Sequence, residues 1–354
     1  MTGAELLPQA DALQVHWLVF EILLIVTFLL HLLLMNVMLG GSIIAAVMGW
    51  RDRHEPEETH EIPITIALTV NFGVPPLLFV QVLFGHLFYT SSVLMGAFWL
   101  SVIPILIVAY YAAYLAVHYR KTQVSAVWST VSAILLLVIG FLFVNNMTFM
   151  LDPGKWAGYF AEPGGVLLNL SEPTLIPRYL HFVVGALAVT GLAWAVWSWY
   201  REKRGGPPAD KCIAWGLKVF WVTTLVQVAI GLWWVIALPE DVMKLFMGGS
   251  MYASALLLLG VLLTVGLVIM AVKGKLWPTV GSLVLTMLVM ILMRDVVRGG
   301  YLSGIFTEAD LAVNLSLSPL VLFLISFVVG LVVLGWMVKT ALDPRERMEA
   351  EGGE

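Results

Sequence analysis

Charge is scarce in this chain: Asp, Glu, Lys and Arg make up 12% of 354 residues, against 60% hydrophobic residues, and mean hydropathy is +0.94. So little polar surface excludes a water-soluble fold of this length, because only lipid would tolerate the exterior. Cysteine is nearly absent. Cys212 stands alone, which excludes a disulfide framework, a thiolate cluster and a CxxCH attachment for c-type haem within the chain. Short alternating strands are missing too, and with them a membrane β-barrel, so the lipid-embedded backbone has to satisfy its N–H and C=O groups inside helices. The net charge of −4 says nothing about partners, and no nucleic-acid partner is expected.

Long apolar runs are what the chain does have. A span needs roughly 20 such residues, and runs of that order occupy residues 20–49, 64–88, 97–118, 124–146, 177–200, 213–238, 250–272, 278–298 and 318–340. The expected fold class is all-α, a polytopic membrane helix bundle of about nine spans. No soluble domain, repeat or low-complexity tract is recognisable, so residues 1–354 read as a single membrane domain. The first run is too long for a cleavable signal peptide and is preceded by Glu5 and Asp11 but by no Lys or Arg, so it is expected to stay attached.

Lysine and arginine sort the loops. One set holds Arg51 and Arg53, Arg120 and Lys121, Arg201, Lys203, Arg204 and Lys211, Lys273 and Lys275, then Lys339, Arg345 and Arg347. The other holds only Lys155, Arg178, Lys244, Arg294 and Arg298. The richer set is expected on the cytoplasmic side, with the N-terminus outside, the C-terminus inside and the protein in the cell's inner membrane. The longest external connection, residues 147–176, carries LDPGKW, AEPGG and LSEP, a turn-rich composition suited to docking or substrate entry.

Polar groups that hydrocarbon penalises are where chemistry is to be sought, and the seven histidines are the informative set. His54, His60 and His118 lie among cytoplasmic charges and read as solvated; His16, beside Trp17, reads as interfacial. His31 is flanked on both sides by apolar residues in TFLLHLLLMNV. An imidazole there needs a partner, either a neighbouring helix or a haem iron. His86, in FGHLFYTSS, and His181, in PRYLHFVVGA, both fall near the external face, where they can share one haem. Arg294, Asp295 and Arg298 near the outer end of a span have to pair, meet a cofactor or snorkel, and Arg178 lies one turn before His181. Glu21 reads as an interfacial glutamate, and Asn145 and Asn146 as caps or ligand contacts.

These segments together resemble subunit I of the cytochrome bd quinol oxidases along nearly the whole chain. FEILLIVTFLLHLLLMNVMLGGSIIAAV looks like that family's opening helix, with His31 in the place of its high-spin haem b ligand. TVNFGVPPLLFVQVLFG is similar to the family's NFxxGVxTG…FQFG stretch, and VNNMTFMLDPGKW to its NGWMQNP segment. EPTLIPRYLHFVVGALAVTGLAWAVWSWY is similar to NPxxxxxFxHxxxxxYxTGAxxxxxxxAWY, which puts His181 on the low-spin haem b ligand. Asp295 and Arg298 in LMRDVVRGGYL match an acid and an arginine of the family. The resemblance therefore implies one or two haems b, with His31, His181 and His86 as iron ligands and Met251 ranking behind His86. It also implies Arg178, Arg294 and Arg298 as propionate partners, and Asp295 as proton acceptor or second ligand.

Departures narrow the implied activity. The third run, LMGAFWLSVIPILIVAYYAAY, lacks the family's glutamates, and the connection LPEDVMKLFMGG is far shorter than the family's quinol loop. Haem d is accordingly not expected. The reading placed first is a b-type cytochrome subunit that passes electrons between membrane quinol and a c-type cytochrome or another membrane subunit. A bd-type quinol:oxygen oxidoreductase and a haem-free structural subunit are the alternatives.

Overall fold

The computed structural model describes residues 7–52, 61–120, 122–315 and 317–342; Glu5, Arg53, His54, His60, Lys121, Arg345 and Arg347, named above, lie outside them. The chain is an all-α helix bundle. Its helices are α1 (Trp17–Asp52), α2 (Ile62–Leu94), α3 (Gly96–His118), α4 (Val124–Met150), α5 (Leu175–Lys203), α6 (Asp210–Ile236), the short α7 (Glu240–Lys244), α8 (Met251–Val272), α9 (Leu276–Tyr301) and α10 (Leu317–Leu342). Among the described residues eight of these are long and apolar enough to cross a membrane, the pattern of a multi-pass membrane protein. The ninth expected run is helical as α10, whose apolar described stretch is the shorter Leu317–Val333.

Helix ends extend beyond the hydropathy runs because a span continues as helix after it leaves hydrocarbon. Thus α2 continues to Leu94 and α4 to Met150. The connection after α4 is not simply a loop: Pro153–Phe160 coils into a 3₁₀ helix that buries Pro153 and Trp156. Likewise LPEDVMKLFMGG folds as α7 followed by a π-helical turn over Leu245–Gly249, with Gly248 at φ 105°.

Helices that lipid does not push together associate by close van der Waals fit and interhelical hydrogen bonds, which favours small residues where backbones approach. The sequence supplies them at each main contact. A Cβ on Gly40 of α1 would overlap the Ala186 carbonyl of α5, and Thr190 Oγ1 donates to the Asn36 carbonyl at 3.0 Å. Ala109, Ala112, Ala113 and Ala116 of α3 are buried against α4, where Ser132 and Ser125 donate to the carbonyls of Ala109 and Ala116 at 3.0 and 2.7 Å. Along α5 and α6 a Cβ on Gly191 would come within 2.9 Å of the Gly216 carbonyl oxygen, so these two helices run nearly backbone to backbone.

The end of the bundle that carries the α4–α5 connection buries polar groups. Leu13 pairs with the segment after α9, donating to the Ala312 carbonyl at 2.7 Å and accepting from the Asn314 N–H at 2.7 Å. Asn145 and Asn146 are fully buried there. Asn145 accepts from the Asn169 N–H at 3.1 Å, while Asn146 meets Ser91 and Ser92 at 3.3 and 3.2 Å. Their role is to tie α4 to α2 and to the connection.

Candidate functional site

Two groups of buried charge occupy this polar end. The first centres on Arg298 of α9, 3% exposed. Its guanidinium bonds Glu21 of α1 at 3.0 Å, Asp295 one turn earlier on α9, and Glu308 at 3.6 Å, and it lies 4.1 Å over the Phe84 ring. Glu21, expected at the interface, is instead buried, because its turn of α1 faces α9 rather than lipid. The three carboxylates offer ligand atoms within 4.8 Å of one another; Arg298 answers one of their three charges, and Glu21 Oε2 and Arg298 Nε are buried without a hydrogen-bond partner. His86 belongs to this neighbourhood: its ring meets Phe306 edge-on at 4.4 Å, and Phe306 in turn meets Phe84. Nearby, Glu172 accepts from Thr174 at 2.8 Å and from Tyr301 at 3.0 Å, with Lys155 at 3.6 Å.

The second group lies among α1, α5, α6 and α9. His181 and Arg178 of α5 face Gln227, Gly231 and Trp234 of α6 in an antiparallel ladder. Arg178 sits 5.8 Å from the centre of the Trp234 ring. A Cβ on Gly231 would lie 3.5 Å from the His181 ring, and Gln227 Nε2 donates to the His181 carbonyl at 2.7 Å. The ladder is built but not satisfied: His181 Nδ1, Arg178 Nε, Trp234 Nε1 and Gln227 Oε1 are all buried without a hydrogen-bond partner. Each such atom costs about 1–3 kcal/mol if nothing binds it.

Arg294 extends this group. Its guanidinium lies 4.9 Å over Phe28 of α1 and reaches only the Met147 sulfur, at 3.9 Å. It is also close enough to Arg298 and Arg178 for mutual repulsion and to Glu21 for attraction, as Arg178 is to Glu172. Among the described residues neither Arg178 nor Arg294 has a carboxylate within ion-pair distance. Phe28 also stacks on His31 at 6.5 Å, which brings His31 into the same neighbourhood. The His31 Nδ1 lies 3.2 Å from the Thr69 carbonyl of α2. As a donor there, Nδ1–H leaves Nε2 as a lone-pair nitrogen, the usual arrangement of a metal-ligating histidine. Gly73 makes room for the ring, since a Cβ there would come within 2.9 Å of it.

The structure thus gathers His31, His181, Arg178 and Arg294, and places Asp295 and Arg298 in the carboxylate cluster. His86 joins that cluster rather than His181, and among the described residues no ring contact links the three histidines. Met251 is the first residue of α8 and 89% exposed, so its sulfur points away from the bundle. Sequence reasoning missed Gln227, Trp234 and Phe28. A lone amide inside an apolar span is itself a signal, so Gln227 was findable; the aromatics were not distinguishable from other span residues. No family model, curated protein or solved structure matches the chain.

Proposed function

We propose that this chain is a membrane b-type cytochrome subunit, akin to subunit I of the bd quinol oxidases, that moves electrons between quinol and a partner in the cytoplasmic membrane or outside it, such as a c-type cytochrome. The observation that carries this is the ladder of unsatisfied buried atoms around His181. An imidazole with a buried free nitrogen, next to two arginines with no carboxylate in ion-pair contact among the described residues, fits a group that is both a metal centre and an anion. Haem b is such a group, and when bound it supplies a one-electron couple. His181 would hold its iron, while Arg178 and Arg294 would hold its propionates through charge-assisted bonds. His31, oriented by Thr69, would ligate a second haem. Asp295 is engaged by Arg298, so its use as a proton acceptor requires that pair to open.

A reduced-minus-oxidised spectrum with a pyridine haemochrome count of the purified full chain tests this. The expected result is one or two haems b, with the low-spin signal lost in His181→Ala. Absence of haem sinks the proposal. That result would favour the haem-free structural subunit, a reading supported by His31 and His86, which already have protein contacts at Thr69 and Phe306.

A further inference from the structure

The carboxylate cluster carries more negative charge than its arginine answers. Glu21, Asp295 and Glu308 come from α1, α9 and the segment after α9, and their ligand atoms lie within 4.8 Å of one another. A single guanidinium nitrogen, Arg298 Nη2, takes Oε1 of Glu21, Oδ1 of Asp295 and Oε1 of Glu308. Two negative charges are left over. The second oxygen of Glu21, Oε2, is buried without a hydrogen-bond partner on a residue only 7% exposed. It belongs to the same carboxyl group as the oxygen that meets Arg298, so it opens onto the same cluster.

Few groups can answer that surplus. Arg294, one turn earlier on α9, is engaged by the Phe28 ring and the Met147 sulfur. A proton on Glu21 Oε2 would turn it into a donor, and a buried donor needs an acceptor of its own. A water bridging Oε2 to the equally unpartnered Arg298 Nε would complete two hydrogen bonds but bring no charge. A divalent cation cancels the surplus, and an all-oxygen set of carboxylates selects a hard one. Calcium tolerates irregular geometry at about 2.3–2.6 Å, and so can reach oxygens up to roughly 5 Å apart, whereas magnesium demands a tight octahedron. The side chains of Asp295 and Glu308 are 36% and 24% exposed, which gives an ion a path from solvent down to Glu21. Glu308 opens the short turn that precedes Ala312, whose carbonyl accepts from Leu13. An ion held by Glu308 therefore ties that segment to α1 and α9.

We propose that Glu21, Asp295 and Glu308 bind one calcium-type divalent cation beside Arg298, and that this ion clamps α1, α9 and the segment after α9 together. The site does not depend on bound haem. The test is equilibrium dialysis of radioactive calcium against the purified full chain, stripped with EDTA and held in a non-ionic detergent. One saturable site per chain is expected, half-filled at or below about 1 mM calcium. Glu21→Gln keeps the size of the side chain and an oxygen for Arg298, and is expected to weaken binding roughly ten-fold or more, because affinity follows the charge of the ligands. Glu308→Gln, outside the spans, does the same and decides the matter if Glu21→Gln does not fold. Glu240→Gln, on an exposed side chain of α7, leaves binding unchanged. Calcium is also expected to raise the Tm of the parent chain and not that of Glu21→Gln, since only the folded state holds the ion. The readout is the ion rather than haem, so this proposal and the cytochrome reading fail separately. No saturable site in the parent chain, binding unchanged in both Glu21→Gln and Glu308→Gln, or an equal rise in Tm with sodium in place of calcium would each overturn it.

Discussion

Arg298 and Arg178 are both arginines at the same end of one bundle, and each has an aromatic face and an unpartnered Nε. Their counter-charges differ: three carboxylates from α1, α9 and the segment after it converge on the Arg298 guanidinium. Arg178 has no carboxylate within ion-pair distance among the described residues, and its neighbours His181 and Trp234 are also unsatisfied. A buried charge held by its own protein's counter-charges acts as a clamp between helices. One left without them is stable only when something else brings the counter-charge. The difference separates a clamp between helices from a site open to an anion more sharply than residue type does.

That comparison can be broken by mutation. The largest effect is expected from Arg298→Ala, which strands Glu21 and its fellow carboxylates in a buried place and costs about 3–5 kcal/mol; unfolding in detergent, followed by tryptophan fluorescence, measures it. Gly216→Val forces α6 away from the Gly191 backbone and is expected to cost about 1–3 kcal/mol in the same assay. Tyr301→Phe removes one of the bonds to Glu172, an expected loss of about 0.5–1.5 kcal/mol. The smallest effect on stability belongs to Arg178→Met, which in the haem-free protein is expected to be neutral or stabilising while haem content falls. A loss on Arg178→Met as large as that on Arg298→Ala would erase the distinction between the two clusters.

Hydropathy made the bundle legible, because the cost of exposing backbone in lipid leaves long apolar helices as the only answer to such a composition. It also picked out His31, His181, Arg178 and Arg294, since lone polar residues inside apolar runs stand out. It did not show which of them share a neighbourhood. Asp295 and Arg298 read like Arg294 in sequence, being neighbours on one helix, yet they turn toward Glu21 while Arg294 turns toward Phe28. His86 meets Phe306, while His181 meets Gln227 and Gly231: similar depth does not imply a shared helix interface. Glu21 looked interfacial because its partner lies far along the chain, on α9.

By itself, then, the sequence determined the solvent, the class of fold and the short list of polar residues that have to find partners, all consequences of transfer free energies that act residue by residue. Only the tertiary structure decided which partners they found. Helix rotation and the close approaches permitted by Gly40, Gly191 and Gly216 depend on contacts between segments far apart in the chain. Those contacts bring three carboxylates to Arg298 and, among the described residues, none within ion-pair distance of Arg178.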